Sequence, residues 1–229
     1  MSNKFITKLE NKDLKIKKLK TNNWNTELSN DCPIELIEIF KKSKNIAIWN
    51  RKLTSNLINS SQCIINNNPT LVFSKIIRIG TLKKTLFSEF GLNDKIKPFV
   101  NDVNILVNHF CNLFKIEKVW LRLDAINRPM CPNFHTDDVK CRMVTTYLGP
   151  GTQWIPKNLI NKNIEESDIM QLNFGDVALL KGEGWHNNKG NGIVHRSPHQ
   201  NTKYNRLYMT VDFVDFYNYI YRNQLYKNF

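Results

Sequence analysis

Apolar residues recur along this chain in two rhythms. Between residues 33 and 68 they come at helical spacing: Leu36, Ile37, Ile39 and Phe40, then Ile46, Ala47, Ile48 and Trp49, then Leu53, Leu57 and Ile58. Such spacing predicts helices that bury one face. The run Asn66-Asn67-Asn68-Pro69 breaks the pattern. A second helix is predicted over 98–113, where Val100, Val103, Ile105, Leu106, His109 and Phe110 return every three or four residues. His109 reads there as a core or boundary histidine. At Lys118 the rhythm shortens to two. Residues 119–126 alternate apolar with polar positions, which predicts a half-buried strand. Further strands are predicted at 141–148, 168–172, 177–181 and 206–214. Turn residues separate them: Asn127-Arg128-Pro129, Gly149-Pro150-Gly151, and the stretches 173–176 and 187–192. Short strands punctuated in this way predict a sandwich or barrel. The expected organisation is one domain over 31–229, with a mainly helical part (31–117) packed against a jelly-roll core (118–229). Residues 1–30, polar and rich in Lys and Asn, read as a basic, flexible lead-in.

Composition changes this picture little. A chain of 229 residues can bury one good-sized core. No apolar run approaches the ~20 residues that cross a bilayer, and the N-terminus lacks a secretory signal, so a cytoplasmic protein without a membrane partner is expected. The net charge of +13 raises nucleic acid as a partner. Much of the excess, however, lies in Lys4, Lys8, Lys12, Lys15, Lys17, Lys18 and Lys20, which face only Glu10 and Asp13. A solvated basic arm accounts for that run, and a nucleic-acid-modifying activity ranks last among the readings. The five cysteines, Cys32, Cys63, Cys111, Cys131 and Cys141, form no CxxC, which argues against a disulfide framework or a structural zinc site. Cys131 and Cys141 flank His135, so either could approach a metal bound there.

The candidate chemistry lies in Asn133-Phe134-His135-Thr136-Asp137-Asp138 and in Gly192-Ile193-Val194-His195-Arg196-Ser197-Pro198. Residues i and i+2 of a strand share a face, so His135 and Asp137 can reach one ion. His195, approached through apolar Ile193-Val194, is the expected third ligand. His186, in a polar loop, and His199, after Pro198, read instead as turn or surface histidines. Two imidazoles and one carboxylate suit Fe(II) and leave about half of an octahedral sphere open.

The order of these parts carries a resemblance. Strand 119–126, His135-Thr136-Asp137, the strand ending in Gly149-Pro150-Gly151-Thr152-Gln153-Trp154, the Phe174-Gly175-Asp176 turn into 177–181, then His195 and Arg206 resemble the Fe(II)/2-oxoglutarate-dependent dioxygenases. The resemblance implies an α+β fold whose core is a double-stranded β-helix, jelly-roll and cupin-like, with the N-terminal helices packed against it. It also implies Fe(II) held by His135, Asp137 and His195 as the catalytic centre, with 2-oxoglutarate as co-substrate. The distal carboxylate of 2-oxoglutarate then needs a cation. Arg206, eleven residues after His195, is the candidate, with Tyr147 or Thr145 adding a hydroxyl. Lys203 is the alternative cation, and a surface ion pair is the bland reading of Arg206. Arg196 is expected to brace Asp137 or Asp138 from behind.

The segments 134–138, 145–154, 180–183 and 194–198, with Asn45-Ile46-Ala47-Ile48-Trp49-Asn50-Arg51, are also similar to a bacterial domain-of-unknown-function family, DUF1826. That family has a proline expected where His186 stands, so His186 inherits no role. A second reading keeps the barrel but makes it a non-catalytic metal protein for sensing or homeostasis. It would hold Zn(II) or Fe(II), with Cys141 as a possible further ligand. The oxygenase's substrate and the oligomeric state are not written in any motif.

Overall fold

The computed structural model describes residues 33–160, 163–198 and 206–214. The expected N-terminal arm, His199 and Lys203 lie outside these residues. After a 3-10 segment, Pro33–Phe40, come β1 (Ile46–Trp49), α1 (Ser55–Asn67), β2 (Val72–Arg78), α2 (Leu82–Phe90) and α3 (Lys97–Phe114). The later part is all strand apart from two short 3-10 turns. It comprises β3 (Lys118–Ile126), β4 (Cys141–Leu148), β5 (Gln153–Ile155), β6 (Met170–Gln171), β7 (Val177–Lys181), β8 (Val194–Arg196) and β9 (Arg206–Phe213). No helix among the described residues is long and apolar enough to cross a membrane.

Six strands form one antiparallel sheet in the order β1-β7-β4-β9-β3-β2, and three form a smaller sheet, β6-β5-β8. Strand alternation gives the large sheet two unlike faces. One face presents Leu121, Leu123, Met143, Met209 and Val211, which pack in a single core with Leu57 and Ile64 of α1 and Phe99, Val103 and Phe110 of α3. The other face presents Val144, Ala178 and Leu180, which pack with Leu172, Ile193 and Trp154 of the smaller sheet and its flanks. The fold is α+β with a double-stranded β-helix core, its helices laid on the outer face of the larger sheet.

Two features depart from the sequence expectation. Ile46–Trp49 is a strand rather than a helical turn, paired with β7 in the register Ile46↔Leu180 to Trp49↔Val177. Four apolar residues in a row satisfy either period. The partner strand decides, because it buries Ala47 and Trp49 on the helical side and leaves Ile46 and Ile48 against the inter-sheet core. The N-terminal half also supplies the other edge strand, β2. Only Phe73 and Ile77 of β2 are buried, so its alternation is too weak to read.

A buried charge cluster joins the helical layer to the sheet. Arg51, just after β1, donates two hydrogen bonds to Asp102 of α3 (2.6 and 2.9 Å) and a third to the carbonyl of Gly175 (2.7 Å). The hydroxyl of Tyr147 in β4 donates to the same carboxylate at 2.8 Å. Removing one partner from such a cluster strands the others without water. Asp102→Ala should therefore lower unfolding stability by about 3–5 kcal/mol in denaturant titrations. A loss below about 1 kcal/mol, the range of an exposed pair, would show that the cluster is not a structural tie.

Candidate metal centre

The segment carrying His135 and Asp137 is not a regular strand. His135 forms one isolated antiparallel bridge with His195 of β8, exchanging both backbone hydrogen bonds (3.0 and 2.9 Å). That bridge sets the two imidazoles side by side, with ring centroids 4.6 Å apart. Asp137 then turns toward both. One of its oxygens lies 3.8 Å from His135 Nε2 and the other 3.4 Å from His195 Nε2. Ligand atoms of all three residues lie within 4.8 Å of one another. His195 is buried, Asp137 nearly so, and His135 is the most open, with its side chain 34% exposed.

The backbone sets the tautomers. His135 Nδ1 is 3.0 Å from the carbonyl of Asn133, and His195 Nδ1 is 3.0 Å from that of Ile193. A carbonyl only accepts, so each Nδ1 carries its proton and each Nε2 keeps a lone pair directed at the shared space. This is the usual way in which a ligating imidazole is oriented from behind.

Arg142 of β4 holds Asp137. Its Nη1 donates to Asp137 at 2.6 Å and its Nε to Asp212 of β9 at 2.8 Å. Burial alone would raise the Asp137 carboxyl, but the Arg142 guanidinium beside it holds it well below the usual carboxylate range. Burial likewise opposes the charge on Arg142, and Asp212 and Asp137 overcome it. Arg196 does not brace Asp137 or Asp138. It points along the smaller sheet, bonded to Gln153 at 2.8 Å and lying 4.2 Å from the ring centre of Phe134. Asp138 is exposed.

Arg206 opens β9 on the same inter-sheet face and is 2% exposed. Its Nη2 donates to Thr146 and Thr152 at 3.0 and 3.2 Å, its guanidinium lies 4.1 Å from the ring centre of Tyr208, and its Nε has no partner. No carboxylate among the described residues pairs with it. Burial pulls its pKa down to about 10, the mark of a cation short of its counter-ion. Gly149, at φ +86°, permits this packing, since a Cβ there would come within 3.2 Å of Arg206 Cβ.

The hydroxyls expected beside Arg206 are not there. Tyr147 and Thr145 occupy the odd positions of β4, which face the helices. Tyr147 meets Phe99 edge to face and donates to Asp102, and Thr145 Oγ1 is buried without a partner. The even positions Arg142, Val144 and Thr146 face the smaller sheet, so Thr146 and Thr152 serve Arg206 instead. Alternation from Arg142 would have pointed to Thr146; nothing local marked Thr152. Cys141 shares the odd face, and burial drives its thiol well away from the thiolate form. Cys131 is exposed and, like Cys141, belongs to no group of potential ligands among the described residues. His186 is exposed. His109 lies near Trp49, with burial lowering its pKa.

No curated protein matches the chain. Among solved structures, the chain is similar to dioxygenase for auxin oxidation 1 from Arabidopsis thaliana in complex with 2-oxoglutarate, at 10% identity and a TM-score of 0.52, over 82% of this chain and 90% of that one. A prolyl-4-hydroxylase from Pseudomonas putida aligns at 7% identity and a TM-score of 0.46, over 80% of this chain and 99% of that one. At such identities the likeness is one of fold. Residues 30–212 match DUF1826, described as a protein of unknown function, and the chain belongs to that family.

Proposed function

We propose that this protein is an Fe(II)- and 2-oxoglutarate-dependent oxygenase. The observation that carries the reading is a buried arginine without a carboxylate partner among the described residues, on the face of the large sheet that turns toward a two-histidine, one-carboxylate set. A lone buried cation is costly, and a ligand carboxylate would offset that cost with two parallel hydrogen bonds. The donor set fits the metal. Two neutral imidazole nitrogens and an ionised carboxylate suit Fe(II) better than a closed zinc site.

His135, Asp137 and His195 would hold the ion, and Arg206, with Thr146 and Thr152 behind it, would receive the distal carboxylate of 2-oxoglutarate. Bound iron supplies O2 activation coupled to oxidation of the 2-oxoacid. The chain's own groups do the rest. The carbonyls of Asn133 and Ile193 keep both Nε2 lone pairs free, Arg142 keeps Asp137 ionised and aimed, and Val144, Leu172, Ala178, Leu180 and Ile193 form the water-poor inter-sheet core beside them. A thiolate zinc site draws no support, because Cys141 lies on the opposite face of β4.

In an assay assembled anaerobically and started by admitting O2, iron-loaded protein should slowly convert 2-oxoglutarate to succinate and CO2 without added substrate, and His135→Ala should abolish this. Arg206→Met should weaken 2-oxoglutarate binding by about thirtyfold or more, since truncating one side of a buried charge pair costs about 2–5 kcal/mol. The same substitution should raise the melting temperature of the ligand-free protein, because it removes an uncompensated buried charge. Wild-type affinity for 2-oxoglutarate in Arg206→Met would sink the reading. In the same binding assay Thr146→Val should weaken 2-oxoglutarate severalfold, while Tyr147→Phe should leave its affinity unchanged. The reverse pattern would mean that β4 presents its odd positions to the site.

A further inference from the structure

The loop after β7 touches both metal-bearing segments, through the backbone at Glu183 on one side and through the Glu183 carboxylate, at the entry to β8, on the other. The backbone N–H of Glu183 donates to the carbonyl of Asp137 at 2.8 Å. The carboxylate of Glu183 accepts from the N–H of Gly192 at 2.9 Å and, through its other oxygen, from the N–H of Gly190. From Gly192 the chain runs directly into β8: Ile193 N–H donates to the carbonyl of Lys181 at 2.9 Å, and His195 pairs with His135. A closed circuit therefore runs from Asp137 to Glu183, to Gly192, through Ile193 to His195 and back. Gly192 leaves room for the carboxylate, because a Cβ there would stand 2.7 Å from Glu183 Oε1 and 3.1 Å from Thr136 Cβ.

We propose that Glu183 is a positioning residue that sets the separation of Asp137 and His195, and so tunes the metal site without touching the ion. The proposal rests on the metal reading above. A carboxylate is suited to this place because it offers two charged acceptors to two N–H groups of one turn. Glutamine would offer one acceptor and set a donor against the second N–H. Alanine would leave both N–H groups to water and release the turn that enters β8. The turn needs such a clasp, because Asn187 and Gly190 both adopt positive φ (+56° and +73°), a conformation that costs energy at the non-glycine position.

The test uses Co(II), which reports coordination geometry by its visible absorption. Glu183→Ala should weaken Co(II) binding about 10- to 100-fold, the range for losing a support behind a metal ligand, and should alter the absorption bands. Glu183→Gln should fall between Glu183→Ala and wild type. Gly192→Ala, which presses on the same contact from the other side, should reproduce the weakening if Glu183→Ala fails to fold. Lys189→Ala, exposed on the same loop, should match wild type. A folded Glu183→Ala with wild-type affinity and spectrum, even with a lower melting temperature, would reduce Glu183 to a loop brace and overturn the proposal. Wild-type protein that binds no Co(II) would instead overturn the metal reading on which it rests.

Discussion

The candidate site depends on one guanidinium. Arg142 lies between two carboxylates, reaching Asp137 in the loop over the sheet and Asp212 on the neighbouring strand. Arg142 and Asp212 are rooted in the middle of the large sheet, in register with one another across β4 and β9, so the loop carboxylate inherits the rigidity of the sheet. Within that trio two carboxylates share one guanidinium, beside two imidazole lone pairs. The divalent cation proposed above would complete that set electrostatically as well as geometrically.

The same sheet serves two purposes because its faces differ. Toward the helices β3, β4 and β9 present an apolar surface, and burial there supplies the hydrophobic stabilisation of the domain. Toward the smaller sheet they present Asp124, Arg142, Arg206, Thr210 and Asp212, each keeping a buried side-chain nitrogen or oxygen without a partner. Five such residues make this face polar where the other is apolar. The helical face can hold this arrangement in place, since its packing and the Arg51–Asp102–Tyr147 cluster make no demand on the inter-sheet residues.

Much of this was legible in the chain. The strands predicted at 119–126, 141–148 and 177–181 became β3, β4 and β7 with little change in bounds, because each is long or apolar enough for burial to dictate its geometry. His135, Asp137 and His195 were legible as candidates from residue type and order, and the structure brings them together. The route differed: a single bridge between the two histidines does what a regular strand was expected to do. Arg206 was legible as a cation opening an apolar strand, but its lack of a carboxylate partner among the described residues was not.

What the sequence determined by itself is periodicity, residue chemistry and order, since these are local properties that survive without knowing any partner. What only the tertiary structure decided is parity and reach. Alternation says that Thr145 and Thr146 face opposite ways, but only the helices packed on one side say which of them meets Arg206. The same holds for Ile46–Trp49, where the pairing with β7 chose strand over helix. It holds too for Arg142 and Arg196, either of which could brace a carboxylate until the two sheets were stacked. Contacts between residues distant in the chain made these choices, and the energies of such contacts leave no trace in the pattern of neighbours along it.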